Sequence, residues 1–337
     1  MPLMVGLVDG SMIKTMESRL ARNRAVLVTG AAGFIGARLT QRLLDEGNAV
    51  IGIDAYTPTY EVGEKLARSA LLRQHPRYRH VTGDLVEQTL APLLEGVDVV
   101  FHLAGRPGVR PSFELRDLYW RDNVLATARL VEACAAAPSV RRLVYASSSS
   151  VYGDAALPLR EDGTPAPVSP YGETKLEGER ICLAANGRQL EATALRYFTV
   201  YGPGQRPDLG LRRFAEAALT GGPIELLGDG TQSRDFTYVD DVVEATQLAA
   251  RAPVVGLAVN VAGGSRISLL EVFSLLEKLV RHDLEIRPSP FARGDVRHTE
   301  ADTARARLLL GFEPKVSFAD GYRREVDWLR RGARSAA

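Results

Sequence analysis

Cysteine is nearly absent from this sequence: Cys134 and Cys182 are the only two among 337 residues. Both fall in helix-like stretches without the paired spacing of a thiolate metal site. A disulfide scaffold is excluded, no metal is expected, and the two thiols read as core packing in a reducing compartment. A dominant charge is missing too. The 42 Lys and Arg nearly cancel the 41 Asp and Glu, leaving a net +1, so no global field favours nucleic acid or an anionic membrane. No apolar run approaches the ~20 residues of a membrane span. Internal repeats, low-complexity tracts and long linkers are also lacking. Residues 1–24, which hold all four methionines, have no basic stretch ahead of their short apolar run. They read as an N-terminal extension and not as a secretory signal, and the expected location is cytoplasmic.

What is present is an ordinary globular composition, 45% hydrophobic and 25% charged, enough to bury a sizeable core. From Ala25 onward, short apolar runs alternate with helical periodicity. The expected strands are "AVLVT", "AVIGID", "YRHVTGD", "DVVFHLAG", "RRLVYAS" and "ATALRYF". Between them lie stretches such as "FIGARLTQRLLDEG", in which Ile35, Leu39 and Leu43 recur at helical spacing. Near-continuous apolar strands alternating with helices predict an α/β fold, a doubly wound parallel sheet of Rossmann type. The pattern breaks after Phe198. A loop, "TVYGPGQRPDLG", a short strand "IELLG" and amphipathic helices at "ISLLEVFSLLEKLV" and "FADGYRREVDWLRR" predict a smaller C-terminal substrate-binding lobe interleaved with the sheet. The expected division is 25–197 with 236–263 returning to it, and 198–235 with 264–332 forming the lobe.

Two features point to a dinucleotide. "VLVTGAAGFIGARL" sets Gly30, Gly33 and Gly36 between a strand and a helix, with Phe34 and Ile35 opening the helix. The glycines permit a tight turn, close backbone approach to a pyrophosphate, and close helix–sheet packing. The phosphates are then expected at the helix N-terminus, whose free N–H groups favour negative charge. Asp54, twenty-four residues after Gly30, ends the second strand. A carboxylate there hydrogen-bonds a ribose 2′-OH and repels a 2′-phosphate, which predicts NAD over NADP. Asp84 and Leu85 in "VTGDL", and Leu103, Ala104 and Gly105 in "HLAG", fit the adenine and ribose side.

Downstream, "PVSPYGETKLEGE" carries Tyr171 and Lys175 four residues apart behind Pro170, a residue suited to a helix start. Alone the pair is a common surface spacing. After a dinucleotide fingerprint it predicts a tyrosine whose pKa an ammonium and a cationic ring lower, making it a general base. The four serines of "YASSSSVYGD" end the strand before this helix, so their hydroxyls are expected to face the same pocket.

At this point the chain resembles a family, the extended short-chain dehydrogenase/reductases that act on nucleotide sugars. The resemblance spans Ala25 to Trp328 and rests on "TGAAGFIG", "SSSSVYG", "YGETK", "RYFTVYGPGQRPD", "SRDFTYVDD" and "GDVRHTEAD". It implies Tyr171 as catalytic base, Lys175 as its partner, and Ser148 as the hydroxyl that hydrogen-bonds the reacting C4–OH. It places Asn123 near the cofactor, and Arg234 and Arg293 as clamps on the substrate diphosphate, a task suited to planar bidentate donors. Dehydratase relatives carry an Asp-Glu pair in the serine stretch, and decarboxylase relatives usually carry a Glu before the Val-Tyr-Gly. This chain has Ser149 and Ser150 there. The expected match is therefore UDP-glucuronate 4-epimerase, with Ser149 and Ser150 holding the C6 carboxylate and Arg206 of "QRPD" near the sugar. The alternatives are a UDP-glucuronate decarboxylase, a UDP-hexose 4-epimerase and a non-catalytic NAD-binding regulator. Relatives commonly dimerise through two helices, so a homodimer through the segments around Phe113–Cys134 and Ser169–Cys182 is expected.

Overall fold

The structure, a computed structural model, describes residues 25–187, 190–290, 294 and 296–336. The expected extension 1–24 and the expected diphosphate clamp Arg293 lie outside the described residues.

Six strands form where the apolar runs stand: β1 Ala25–Thr29, β2 Ala49–Asp54, β3 Tyr78–Thr82, β4 Val97–His102, β5 Arg142–Ser148 and β6 Glu191–Tyr197. Beyond them come β7 Val200–Tyr201, β8 Ile224–Leu227, β9 Ser233–Asp235, β10 Thr237–Tyr238, β11 Leu257–Val261, β12 Arg266–Ser268 and β13 Ile286–Ser289. The main sheet has seven strands in the order β11-β6-β5-β4-β1-β2-β3, and every pairing in it is parallel. β11 is not among the six expected strands. A five-residue apolar run flanked by glycines carries too little periodicity to be separated from a buried helical turn. The expected "IELLG" strand forms as β8, but it pairs with β13 outside the main sheet.

Strand order reverses between β1 and β4, and the crevice at such a switch point, outside the carboxyl ends of the strands, is where open α/β sheets bind ligands. Alternation along β1 divides the core. Val26 and Val28 pack with Leu39, Leu43 and Val242 on one face, while Leu27 packs with Val100, Leu130 and Cys134 on the other. Cys134 and Cys182 are both free and fully buried there, as expected. Truncating a sealed residue such as Leu27 to Ala would cost about 2–5 kcal/mol.

A further core gathers around three helices, Gly210–Thr220, Leu269–Val280 and Phe318–Ala336, through Leu211, Ala215, Val272, Phe273, Tyr322 and Val326. Phe34, at the start of the glycine-rich helix, also packs into this cluster, so the two parts of the molecule share a core residue at the mouth of the crevice. Local signals fix the helix ends. Ser169 Oγ accepts from Gly172 N ahead of Pro170, and Ser268 and Glu271 form a reciprocal capping box. Among the described residues no helix is long and apolar enough to cross a membrane, and no cluster of His, Cys, Asp and Glu could hold a metal.

Candidate active site

The crevice is a cleft whose walls contain most of the expected residues. Gly30, Gly33, Phe34, Ile35 and Gly36 come from the turn after β1, Asp54 from the end of β2, Asp84 and Leu85 from beyond β3, and Leu103, Ala104 and Gly105 from beyond β4. Tyr171, Lys175 and Arg206 complete it. The glycines are there because backbone comes close. A Cβ on Gly30, whose φ is +70°, would sit 2.8 Å from Ala104 N, and one on Gly36 would sit 2.1 Å from Gly30 O. Gly33 N-caps the helix Phe34–Asp45, and no side chain caps that end, so its free N–H groups are available to an anion. Asp54 is fixed at both oxygens, Oδ2 by Ala32 N at 3.0 Å and Oδ1 by Tyr56 N at 2.8 Å. This tight, glycine-floored cradle with a carboxylate at its second strand fits NAD.

Tyr171 and Lys175 share a face of the helix Pro170–Ala184, as the spacing requires. In the protein alone, without the cationic ring that the expectation includes, the tyrosine is shifted upward. Burial pushes the Tyr171 phenol above its usual value, and the opposing influences are a hydrogen bond from Ser148 and the charge of Arg206. Lys175 is buried, with its ammonium 4.3 Å from the centroid of the Tyr145 ring, and burial pulls its pKa down to about 8. The tyrosine is therefore not lowered by its lysine in the protein alone, because desolvation outweighs the neighbouring charges. Tyr119, buried, meets Tyr171 edge-on with centroids 6.3 Å apart, and its hydroxyl reaches the carbonyls of Pro107 and Gly108.

The four serines divide their work. Ser147 Oγ donates to Glu179 at 2.6 Å, and Glu179 also takes Nε and Nη2 of Arg196 in a buried ion pair. Ser147 itself lines the cleft beside Ala146, as expected, but its hydroxyl proton is committed to that buried ion pair. Ser148 Oγ accepts from Ser150 N at 3.1 Å, which starts the 3₁₀ turn Ser149–Val151, and its influence on Tyr171 is to oppose the rise that burial causes. Ser149 and Ser150 are half-buried in that turn and outside the cleft wall proper. The turn packs on the Tyr171 helix so closely that a Cβ at Gly172 would lie 2.5 Å from Ser150 O.

Asn123 stands behind the wall. Its Oδ1 accepts from Arg106 N at 2.6 Å and its Nδ2 donates to Arg106 O and Thr174 Oγ1. It sits in a π-helical stretch, Trp120–Leu125, that runs into the helix Ala126–Ala136. Arg234, on β9, donates to the carbonyls of Ser233 and Arg297 and is not part of the cleft wall.

Several wall residues escape the motifs. Arg106, just past the end of β4, is held by Asp122 at 2.8 Å. Thr57, Tyr60 and Lys65 line the cleft after β2. Lys65 is buried, donates to Thr57 O at 2.7 Å, and lies 4.8 Å from the Tyr60 centroid. A signal for Arg106 existed, since residues just beyond the ends of parallel strands at the switch point line the crevice. Lys65 had none, because a lysine on a helix reads as solvated.

Comparison with known proteins agrees with this geometry. The profile of the NAD dependent epimerase/dehydratase family matches residues 26–262. An uncharacterized UDP-glucose epimerase of Bacillus subtilis is 40% identical over 308 residues, covering 90% of this chain and 97% of that one. The UDP-glucuronic acid 4-epimerase from Bacillus cereus, solved with UDP-glucuronic acid and NAD, superposes with a TM-score of 0.88 at 37% identity, covering 91% and 99% of the two chains. MoeE5, solved with UDP-glucuronic acid and NAD, gives 0.83 at 44% identity with the same coverage.

Proposed function

The chain belongs to the NAD dependent epimerase/dehydratase family, within the extended short-chain dehydrogenase/reductases, and from that premise we propose that it is a UDP-glucuronate 4-epimerase. The observation that carries the reading is Tyr171 with Lys175 one helical turn on, at a cleft with a dinucleotide cradle, beside a turn whose residues are serines and not carboxylates. Without an acid–base carboxylate at Ser149 or Ser150, elimination across C5–C6 lacks its proton carrier.

When bound, NAD supplies a hydride acceptor and donor and a positive charge that favours the phenolate. Tyr171 takes the proton of the C4 hydroxyl, which Ser148 orients, as the sugar is oxidised to a 4-keto species. Lys175, charged below about pH 8, adds to the positive field over the site. The keto sugar then turns, and Tyr171 returns the proton to the new C4 oxygen, leaving the opposite configuration. Ser149, Ser150 and Arg206 hold the C6 carboxylate through the turn. Arg206 is itself steadied by two hydrogen bonds to Asp208. Arg234 and Arg293 take the diphosphate, and Asn123 supports the cofactor wall from behind through Arg106. Residues 25–197 and 236–263 serve the cofactor, and 198–235 and 264–332 the nucleotide sugar.

The helical segments before Ala136 and the helix Pro170–Ala184 carry our proposed homodimer contact, with Leu115, Leu118, Trp120 and Leu125 exposed on the first. Two buried free thiols suit a cytoplasmic location.

The deciding experiment incubates the protein with NAD and UDP-glucuronate, then with UDP-glucose. Unchanged mass with galacturonate stereochemistry is the expected product. Loss of CO₂ would make it the decarboxylase, which shares the first step. Turnover of UDP-glucose alone would make it a hexose epimerase, and binding without turnover a regulator.

A further inference from the structure

The loop that carries Arg206 is held by polar side chains from three separate helices. Glu325 accepts from Gly202 N at 3.0 Å, Arg68 donates to Gly204 O at 2.9 Å, and Arg212 donates to Gln205 O at 2.6 Å. Two of those three, Arg68 and Arg212, converge on one carboxylate. Glu64 takes Nη1 and Nη2 of Arg212 at 3.0 and 2.6 Å, and Nη2 of Arg68 at 2.9 Å. Arg68 also donates through Nη1 to the hydroxyl of Tyr60 at 2.8 Å.

Glu64 and Arg68 lie on the helix Val62–Leu72, whose approach from β2 forms one wall of the cofactor cleft through Thr57, Tyr60 and Lys65. Arg212 lies on the helix Gly210–Thr220 of the other lobe, 148 positions after Glu64 in sequence. Arg212 is nearly buried against the Trp328 ring, and Arg68 is mostly covered, so these bonds are less screened than those of an exposed pair. Removing the Glu64 charge would leave two guanidinium groups side by side without the anion they share, Arg212 keeping only Glu216.

We infer that Glu64, Arg68 and Arg212 form a clasp that couples retention of NAD to occupancy of the nucleotide-sugar site. None of the three lines the cleft, so they are positioning residues. Arg68 bonds both sides at once, Tyr60 of the cofactor wall and Gly204 of the loop that presents Arg206. The inference rests on the reading of the cleft as an NAD site and of Arg206 as a sugar-side residue. Its chemical sense is that an epimerase must keep both its cofactor and its keto sugar until the hydride returns. Coupling of this kind is reciprocal in affinity, so a ligand that the steadied Arg206 loop favours binds more tightly with the cofactor present and tightens the cofactor in turn, which the clasp would express as slower departure.

The test uses the full chain loaded with NAD. Release is followed by mixing with a dehydrogenase and substrate that consume free NAD, with and without UDP-4-deoxy-4-fluoro-glucuronic acid, a UDP probe that brings a C6 carboxylate to Arg206 and lacks the C4 hydroxyl that turnover needs. This UDP probe is expected to slow release from the wild-type protein about fivefold or more, the lower end of ordinary allosteric coupling. In Glu64→Gln and Arg68→Gln, release without UDP is expected to be about tenfold faster and the UDP effect to fall below about twofold, with kcat at saturating ligands held within about threefold. Release as slow as wild type in both variants, or full UDP protection in them, would overturn the clasp. Arg68→Lys covers the case of a variant that folds poorly, because one ammonium keeps the charge but cannot span Glu64, Gly204 and Tyr60 together. It must lose most of the UDP effect at unchanged Tm, and retention of that effect would also overturn the inference. Failure of the wild-type protein to bind NAD would instead defeat the reading of the cleft itself.

Discussion

Lys175 holds its ammonium 4.3 Å from the centre of the Tyr145 ring, so the face of a buried aromatic compensates part of the charge that burial disfavours. The compensation is incomplete, and the lysine titrates at about 8. Tyr171, one turn earlier on the helix, is pushed the other way, with Ser148 and Arg206 as its counterweights. The protein alone thus keeps its base protonated near neutrality, and the charge that completes the site arrives with the ligands.

Replacing Tyr171 with Phe removes the proton carrier and leaves the ring that Tyr119 packs against. NAD and UDP-glucuronate binding are expected to persist, measured by calorimetry, while kcat falls by on the order of 10²–10⁴, the usual range for a general acid–base group. Turnover near the wild-type rate would remove Tyr171 from the chemistry.

Asp54 spends both oxygens on backbone N–H groups, yet it stands at the wall where a ribose edge is expected. Asp54→Ala should weaken NAD and narrow its preference over NADP, because the repulsion of a 2′-phosphate goes with the carboxylate. Fluorescence titration with both reduced cofactors checks the ratio. Equal affinities in the unmodified protein would count against the assignment.

Ser149→Ala and Ser150→Ala should cost more with UDP-glucuronate than with UDP-glucose. A hydrogen bond to a charged group is worth roughly 1.5–3 kcal/mol, or about tenfold or more in kcat/KM for each serine. A β-keto acid held less firmly also loses CO₂ more easily, so some pentose product should appear beside the epimer. Equal losses on both substrates with no pentose would reduce the serines to strand-end packing.

Glu325 is fully buried, and burial raises its pKa to about 8 from an ordinary 4.5. The folded protein therefore binds a proton that the unfolded chain has lost between those values, and stability falls as pH rises through that window. Below it, both states are protonated and the effect vanishes. Glu325→Gln keeps an acceptor for Gly202 N and cannot ionise. Its stability advantage over the wild type should be small at pH 5 and grow by about 1.4 kcal/mol per pH unit toward pH 8. Urea midpoints at the two pH values measure it, and a constant difference would mean that Glu325 is charged in the fold.

Much of this was legible in the chain because it is written locally. Gly30, Gly33 and Gly36 need only a strand before them and a helix after, and Tyr171 and Lys175 need only one helical turn behind Pro170. Lys65, Tyr60 and Arg68 matter because a helix far from Gly204 in sequence folds beside it, and no local pattern encodes that return. The Tyr171 pKa in the protein alone is not readable from sequence for a related reason. Counting nearby charges is possible from spacing, but desolvation depends on everything packed around the phenol. Ser147 likewise looked like its neighbours until Glu179 and Arg196 were found beneath it.

The last two strands of the sheet are neighbours in space but not in time. β6 ends at Tyr197 and its partner β11 begins at Leu257, so roughly sixty residues must leave the ribosome before that edge is covered. At about 5–20 residues per second, the apolar edge of β6 stays open on the order of 3–12 s in each nascent chain. Such an edge is a template for pairing with the wrong strand. Closing the long loop adds little to the thermodynamic cost, because that cost grows only with the logarithm of length. The interleaving that brings Arg206 to the cofactor cleft therefore exposes each chain, during its synthesis, to a brief period in which it can aggregate.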